Sequence, residues 1–270
     1  LFRSEAFLLS ATDLSSGAVA THMFTDSKPP SVTIEQLQPG DDGLSADGIN
    51  QSNPDGWKTG LNDGKFNKGD SIPYRALFGT TTAGSEYTLV IEYDITKSDE
   101  HAIDYLTSYD RTLTSADATG DYLNGQPVEA DLLLIPPDPQ VTAGKDGILG
   151  TEDDNITQVE GYFTIWGGLI ASIEYTGGTV TGKGSQDNPF VYTGTDKRVV
   201  TVTFTSNFTT DEGPVLAWGG HIATDADWTD ASPQGSPYHM RLNGFTEDGE
   251  TVSPGNQDLA LNEAGILANP

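Results

Sequence analysis

Hydrophobic and polar residues alternate along most of the chain with a period of two, and almost nowhere with the period of about 3.6 that marks an amphipathic helix. The clearest case is Glu86–Ile95. Its apolar residues at alternate positions are Tyr87, Leu89, Ile91, Tyr93 and Ile95. This spacing places them on one face of the backbone and predicts a half-buried strand.

The same pattern predicts nine further strands, which are separated by clusters of Gly, Pro, Asn and Asp. They are Val32–Leu37, Ile72–Phe78, Ala130–Ile135, Gln158–Trp166, Leu169–Tyr175, Arg198–Phe204, Val215–Trp218, Tyr238–Leu242 and Asp258–Leu261. Ten or more strands with no predicted helix favour an all-β fold. We expect a mainly antiparallel β-sandwich, jelly-roll-like or Ig-like, with long acidic loops and an extended N-terminal strand.

The N-terminal segment, residues 1–30, is predicted to be an extended strand followed by a linker, and residues 31–270 to be the sandwich domain. Val19, Thr21 and Met23 alternate with small or polar residues and precede the stiff connector Lys28-Pro29-Pro30. Such a strand can pair with its own domain. It can also complete the sheet of a neighbouring copy, with these three side chains setting the register.

Composition narrows the possible partners. The chain has 40 acidic and 13 basic side chains and a formal net charge of −27. That charge argues against binding to nucleic acid and to anionic membrane surfaces. No apolar run reaches the ~18 residues of a membrane-spanning helix, so we expect no membrane insertion. With no cysteine, disulfides are excluded, and cation binding or subunit association remain as ways to stabilise the fold.

The loop of residues 138–157 is the stronger of two candidate calcium sites. Its potential oxygen ligands are Asp146, Glu152, Asp153, Asp154 and Asn155, and they surround two glycines. Hard oxygen ligands on a glycine-containing turn suit Ca²⁺. The spacing differs from the EF-hand pattern. A solvated acidic turn is therefore the alternative interpretation.

The second candidate calcium region is the acidic stretch of residues 38–71. Its possible ligands are Asp41, Asp42, Asp47, Asp55, Asp63 and Asp70. An irregular stretch of this length is unusual in a compact domain unless a ligand organises it. The alternative is a mobile polar linker.

Nothing in the sequence points to a reaction, and we predict that the protein is not an enzyme. The four histidines, His22, His101, His221 and His239, lack local zinc-ligand spacing. No Gly-x-Ser-x-Gly element is present, and carboxylate pairs carry no information among so many acids. Hydrogen bonds between histidine and aspartate in the core are the simpler interpretation.

Two surface features suggest contact with sugars. Aromatic residues beside Gly or Asp could stack on a glycan, although packing in the core or at strand ends explains them better: Trp57, Trp166, Trp218, Trp228 and Tyr122. Three asparagines match the N-glycan acceptor pattern: Asn50, Asn155 and Asn207.

Five longer strings carry a resemblance to a known family. They are residues 67–75 (NKGDSIPYR), 101–112 (HAIDYLTSYDRT), 217–223 (AWGGHIA), 235–242 (GSPYHMRL) and 255–258 (GNQD). Over roughly residues 60–262 the chain resembles a family of large, uncharacterised, secreted prokaryotic surface proteins. The resemblance implies an extracellular β-rich module at the cell surface and carries no active site.

These observations lead to two functional hypotheses. The first is a structural subunit of an extracellular filament or tube, a homopolymer joined by strand donation and stabilised by calcium. The lack of a visible wall anchor favours a subunit that assembles. The alternative is a monomeric calcium-dependent adhesin or carbohydrate-binding surface module that contacts glycans or the cell surface. A hydrolase is a distant third.

Overall fold

A computed structural model describes residues 6–25, 28–39, 56–120, 122–123, 128–208, 212–229, 231, 237–255 and 257–267. Within these ranges the chain is nearly all strand, and the predicted all-β, mainly antiparallel sandwich is confirmed. The helical residues are one short α-helix and one 3-10 turn.

Twenty strands are present in the described part of the chain. In the first half they are β1 (Ala6–Thr12), β2 (Val19–Thr25), β3 (Ser31–Leu37), β4 (Trp57–Lys58), β5 (Leu61–Asn62), β6 (Phe66–Asn67), β7 (Ser71–Gly79), β8 (Glu86–Asp94), β9 (Thr96–Lys97), β10 (Glu100–His101), β11 (Ile103–Thr107) and β12 (Ala130–Leu134). After the α-helix α1 (Pro139–Thr142) come β13 (Tyr162–Trp166), β14 (Gly168–Gly178), β15 (Lys197–Ser206), β16 (Glu212–Ile222), β17 (Tyr238–Glu247), β18 (Glu250–Thr251), β19 (Gln257–Leu261), a 3-10 turn (Glu263–Gly265) and β20 (Ile266–Leu267).

Two seven-stranded sheets make up the sandwich. The first has the order β12-β13-β16-β7-β3-β4, with β11 also pairing with β16. The second has the order β14-β15-β8-β17-β19-β5, with β18 also pairing with β17. Neighbouring strands are antiparallel except for β19 with β5. Three two-stranded sheets stand apart from this pair: β1-β2, β9-β10 and the parallel β6-β20.

Aromatic side chains join the two sheets at the centre of the core. Phe78 of the first sheet lies 4.8 Å from Phe204 and 5.5 Å from Phe245 of the second, between ring centroids. Tyr87 stacks on both of these phenylalanines at 5.6 and 5.7 Å. All four side chains are almost fully buried. Such pairs add to the stability gained from burying apolar surface.

The ten predicted strands are all present, with shifted ends. The segment predicted from Gln158 becomes a strand only at Tyr162, and β16 extends well beyond Val215–Trp218. The sequence missed β11, because all five of its residues are buried. A strand covered on both faces shows no alternation of apolar and polar residues.

A buried ion pair attaches α1 and the acidic loop that follows it to the second sheet. Asp138 Oδ2 accepts a hydrogen bond from Arg198 Nε at 2.7 Å, and Oδ1 accepts from Arg198 Nη2 at 3.1 Å. Oδ1 also caps α1 by accepting from the backbone N–H of Gln140. Burial raises the pKa of Asp138, and the Arg198 guanidinium opposes that rise. The folded protein therefore depends on both partners of this pair being present.

Removing Arg198 should destabilise the protein strongly, because it leaves the Asp138 carboxylate buried without its partner. We expect Arg198→Met to lower the free energy of unfolding by about 3–5 kcal/mol. The control is Lys197→Met, which removes the more exposed pair with Glu92 and should lower it by less than about 1 kcal/mol. Urea unfolding measures both. Equal losses of unfolding free energy in the two variants would contradict this role for the buried pair.

Candidate functional site

The N-terminal segment forms a β-hairpin, which differs from the single extended strand expected from the sequence. Val19, Thr21 and Met23, the residues predicted to set the register of a donated strand, all lie on β2. Strand β2 pairs along its whole length with β1 of the same chain, from Thr12 opposite Val19 to Ala6 opposite Thr25. The unit that the chain can offer to a neighbour is therefore two-stranded.

A tight turn explains why the segment folds back on itself. The Oδ1 atom of Asp13 accepts hydrogen bonds from the Ser15 hydroxyl at 2.6 Å, the Ser15 N–H at 2.7 Å and the Ser16 N–H at 3.2 Å. Gly17 completes the turn at φ +71°, in the left-handed region that glycine tolerates best. These bonds lower the pKa of Asp13 to about 2. In the sequence, the signal for this turn was an aspartate followed four residues later by a glycine.

The hairpin exposes apolar surface on both of its faces. Every side chain from Leu8 to Thr21 is exposed, and Leu8, Leu9 and Val19 are each about three-fifths exposed. Leu8 and Leu9 are adjacent in a strand, so they point to opposite faces. Neither face is therefore covered by the sandwich over this stretch. An isolated two-stranded hairpin is marginal in water.

The sandwich closes its core without the hairpin. Its largest side chains, including Tyr74, Phe163 and Trp218, are less than 2% exposed. Trp218 packs against both of the others, at 6.0 Å from Tyr74 and 5.6 Å from Phe163. This part of the core needs no donated strand, so any contact made by the hairpin lies on the outside of the sandwich.

The predicted calcium loop brings three of its carboxylates to one hydroxyl group. Thr151 Oγ1 lies 2.7 Å from Asp153 Oδ1, 3.3 Å from Asp154 Oδ1 and 3.4 Å from Asp146 Oδ1. Glu152 and Asn155, the other two predicted ligands, are exposed. The sequence did not single out Thr151, although a hydroxyl between acidic residues is a usual partner for carboxylates.

Backbone N–H groups also hold this loop in place. Asp153 Oδ2 accepts from the Asp146 N–H at 2.9 Å, and Asp154 Oδ2 accepts from the Gly150 N–H at 2.6 Å. Gly144 sits at φ +65°, where a Cβ would lie 2.3 Å from the Asp153 carbonyl oxygen. Hydrogen bonds from the Thr151 hydroxyl and from the Asp146 N–H lower the pKa of Asp153. In the described ranges, no three His, Asp or Glu side chains are arranged to hold a metal ion.

The second acidic region is described only in part. Four of its predicted ligands, Asp41, Asp42, Asp47 and Asp55, and the glycan candidate Asn50 lie outside the described residues. Asp63 Oδ1 accepts from the Asn262 side chain at 3.0 Å. Asp70 Oδ2 accepts from the Asn67 N–H at 2.6 Å, and burial raises the pKa of Asp70. These two aspartates contact different parts of the chain.

Two histidines belong to a buried aromatic cluster around Asp104. The Oδ1 atom of Asp104 lies 2.7 Å from His221 Nδ1, and its Oδ2 accepts from Trp228 Nε1 at 3.2 Å. His221 stacks on Tyr105, and His101 stacks on Trp228 at 3.8 Å between ring centroids. The cluster gives both oxygens of the buried Asp104 a hydrogen-bond partner, which is the structural role expected from the sequence.

Of the five aromatic residues proposed to contact sugars, three are buried, and Trp166 and Tyr122 are half-buried against the core. Trp57, Trp218 and Trp228 are each no more than 8% exposed, so they pack in the interior and cannot stack on a glycan from solvent. Their position beside Gly or Asp in the sequence suggested more exposure than the fold gives them. The glycan candidates Asn155 and Asn207 are both exposed.

Comparisons with known proteins identify no relative. The chain matches no family model, no curated protein and no solved structure among those compared with it. The resemblance to secreted surface proteins therefore stays a prediction. No helix in the described part of the chain is long and apolar enough to cross a membrane.

The turn at Asp13 should decide whether the hairpin forms. We expect Asp13→Ala to remove the cross-strand proton contacts between β1 and β2 in NMR spectra, because three hydrogen bonds lose their acceptor. The sandwich resonances should stay unchanged, since residues 8–21 of the hairpin are exposed. Asp13→Asn is the matched control, because its side-chain oxygen can still accept. Intact cross-strand contacts in the alanine variant would contradict this assignment.

The same turn should depend on pH. The pKa of Asp13 is lower in the folded turn than in an unfolded chain. The stability that the ionised Asp13 adds to the turn is therefore fully present above the unfolded pKa of about 3.9. It is lost as the pH falls through about 2. The Ser15 amide shift should report this titration. A midpoint near pH 4 would show that the hydrogen bonds are absent.

Proposed function

We propose that the protein is a structural subunit of an extracellular filament or tube, and that its copies join through the hairpin of residues 6–25. The observation that carries the proposal is the apolar surface that the hairpin exposes on both faces. A subunit with a closed core and a detached apolar hairpin has the parts that assembly by β-strand addition requires. The proposed extracellular location rests on the resemblance of the longer sequence strings to secreted surface proteins.

The charge of the chain supports the choice of the hairpin as the joining element. Two copies with a formal net charge of −27 each repel one another, so stable contacts have to form where charge is sparse. Residues 6–25 contain one carboxylate, Asp13, and no Lys or Arg. That carboxylate is already engaged by three hydrogen bonds in the turn.

Calcium is proposed as a second source of stability, bound in the loop of residues 146–154. The supporting observation is the convergence of Asp146, Asp153 and Asp154 on the Thr151 hydroxyl. One hydroxyl hydrogen can satisfy only one of the three carboxylates. A divalent cation among their oxygens would reduce the repulsion between them. The solvated acidic turn remains the competing interpretation.

Deleting residues 1–25 should abolish ordered assembly and leave the sandwich folded, because the core closes without the hairpin. Negative-stain imaging would detect polymers, and size-exclusion chromatography would detect monomers. Leu9→Asp should have the same effect by placing a charge on the hairpin. The matched control is Val191→Asp, at an exposed apolar residue outside the hairpin. Ordered polymers from the deleted chain would overturn the proposal, and wild-type chains that stay monomeric and bind glycans would favour the adhesin instead.

Calcium should stabilise the wild-type protein and not the loop variant Asp153→Asn with Asp154→Asn. A ligand present at a hundred times its dissociation constant raises the free energy of unfolding by about 2.7 kcal/mol. Thermal unfolding with calcium, with magnesium and with a chelator would detect this rise. Asp187→Asn with Glu174→Gln, at two exposed acids outside the loop, is the control for the same change of charge. Equal responses in all three proteins would identify the loop as a solvated turn.

A further inference from the structure

The outer strand of the first sheet has an uncovered apolar edge. In the described part of the chain, β12 pairs with β13 on one side and is the end strand of its sheet. Leu132 is 55% exposed and Leu134 is 47% exposed. We define the acceptor edge as residues 132–134 of β12. An end strand presents unpaired backbone N–H and C=O groups, so it can template another strand.

The acceptor edge lacks the charges that usually protect such strands. Asp131 is the one charged residue of β12. Its Oδ2 atom accepts from the Ile170 N–H at 2.8 Å, which ties the carboxylate to the first residues of the second sheet's end strand. Natural sheet edges are commonly blocked by lysine or by inward-pointing charges. The segment 132–134 consists of three leucines. No charge within it blocks pairing with another strand.

An apolar cleft opens at the end of the acceptor edge. It has a volume of about 190 Å³ and is lined mainly by apolar residues, among them Leu134, Ile135, Pro136, Pro137 and Val159, with Gln158 and the exposed Glu160 as its polar members. An apolar cavity of about 150 Å³ is large enough for benzene. The cleft can therefore admit one leucine side chain.

We infer that the acceptor edge and its cleft receive the hairpin of a second copy. The outer edge of β1 pairs with residues 132–134, and either Leu8 or Leu9 enters the cleft. This inference rests on the proposed function and names the surface that the hairpin meets. The charge argument selects the occupant: two chains at −27 can approach where acid is sparse, and the hairpin, with its single carboxylate, and the three leucines of the edge are two such surfaces.

The length of the linker favours a second copy over the same chain. Strand β3, which follows the linker, is four strand spacings from β12 in the first sheet, or roughly 19 Å at about 4.8 Å each. Five residues separate Thr25 from Ser31. Fully extended, they span roughly 20 Å. With β1 on the acceptor edge, β2 lies two spacings beyond β12 and six from β3, roughly 29 Å away at about 4.8 Å each. The linker cannot span that distance on the same chain, whereas docking on a neighbour sets no such limit.

Disulfide trapping between two single-cysteine variants tests this contact, since the natural chain has no cysteine. Leu9→Cys and Leu134→Cys full-length chains would be mixed in equal amounts and oxidised. The control mixture pairs Leu9→Cys with Leu169→Cys, because Leu169 is 56% exposed and lies on the second sheet. We expect the heterodimer with Leu134→Cys to form at least tenfold faster. The Leu8→Cys chain should be run in parallel, since either leucine can enter the cleft.

The outcomes separate the docking site from the proposed function. Suppose that wild-type chains polymerise, but that neither hairpin cysteine cross-links to position 134 faster than to position 169. The inferred docking site is then wrong, and the proposal that the chains assemble is unaffected. A dilute double variant, Leu9→Cys with Leu134→Cys, that closes a disulfide within one monomer would also overturn the inference. If wild-type chains form no polymer and the cysteine variants form no cross-link, both proposals fail. Loss of polymer in Leu132→Lys, with cooperative unfolding retained, would support the edge.

Discussion

The contact between the two sheets through aromatic side chains is the interaction on which the rest of the structure depends. Phe78 of one sheet meets Phe204 and Phe245 of the other, and Tyr87 stacks on the last two. Because these rings close the core with residues from β7, β8, β15 and β17, the hairpin has no place in it. An apolar element that its own subunit does not bury is available for a contact outside that subunit.

Charge sets the second constraint on this molecule. Two buried carboxylates are matched by arginines, Asp138 by Arg198 and Asp94 by Arg241, while the buried Asp104 is held by His221 and Trp228. Most of the surplus acid remains at the surface and makes any two copies repel one another. Contact between copies is then favoured where acid is sparse, as on the hairpin, with its single carboxylate, and along residues 132–134. The acidic loop around Thr151 has the opposite character, because three of its carboxylates converge on one hydroxyl group.

The sequence predicted the sandwich well because alternation reports half-buried strands directly, as in β8. It missed β11, whose two faces are both buried, and it missed the fold-back at Asp13, where one carboxylate organises a turn. Composition alone located the acidic loop, but only the fold shows which carboxylates meet at Thr151. Neighbouring glycines suggested that Trp218 was accessible, yet long-range packing buries it. Contacts between residues distant in sequence leave no local pattern to read.

Hydrogen exchange at increasing protein concentration tests the central claim most directly, that the hairpin makes contacts between copies and none within its own core. The account predicts that amides of residues 6–25 exchange fast in dilute solution and become protected as the concentration rises. Amides of β8 and β15 should be strongly protected at every concentration. Hairpin protection that is already high in dilute solution and does not change with concentration would contradict the account, because the hairpin would then be held by its own subunit.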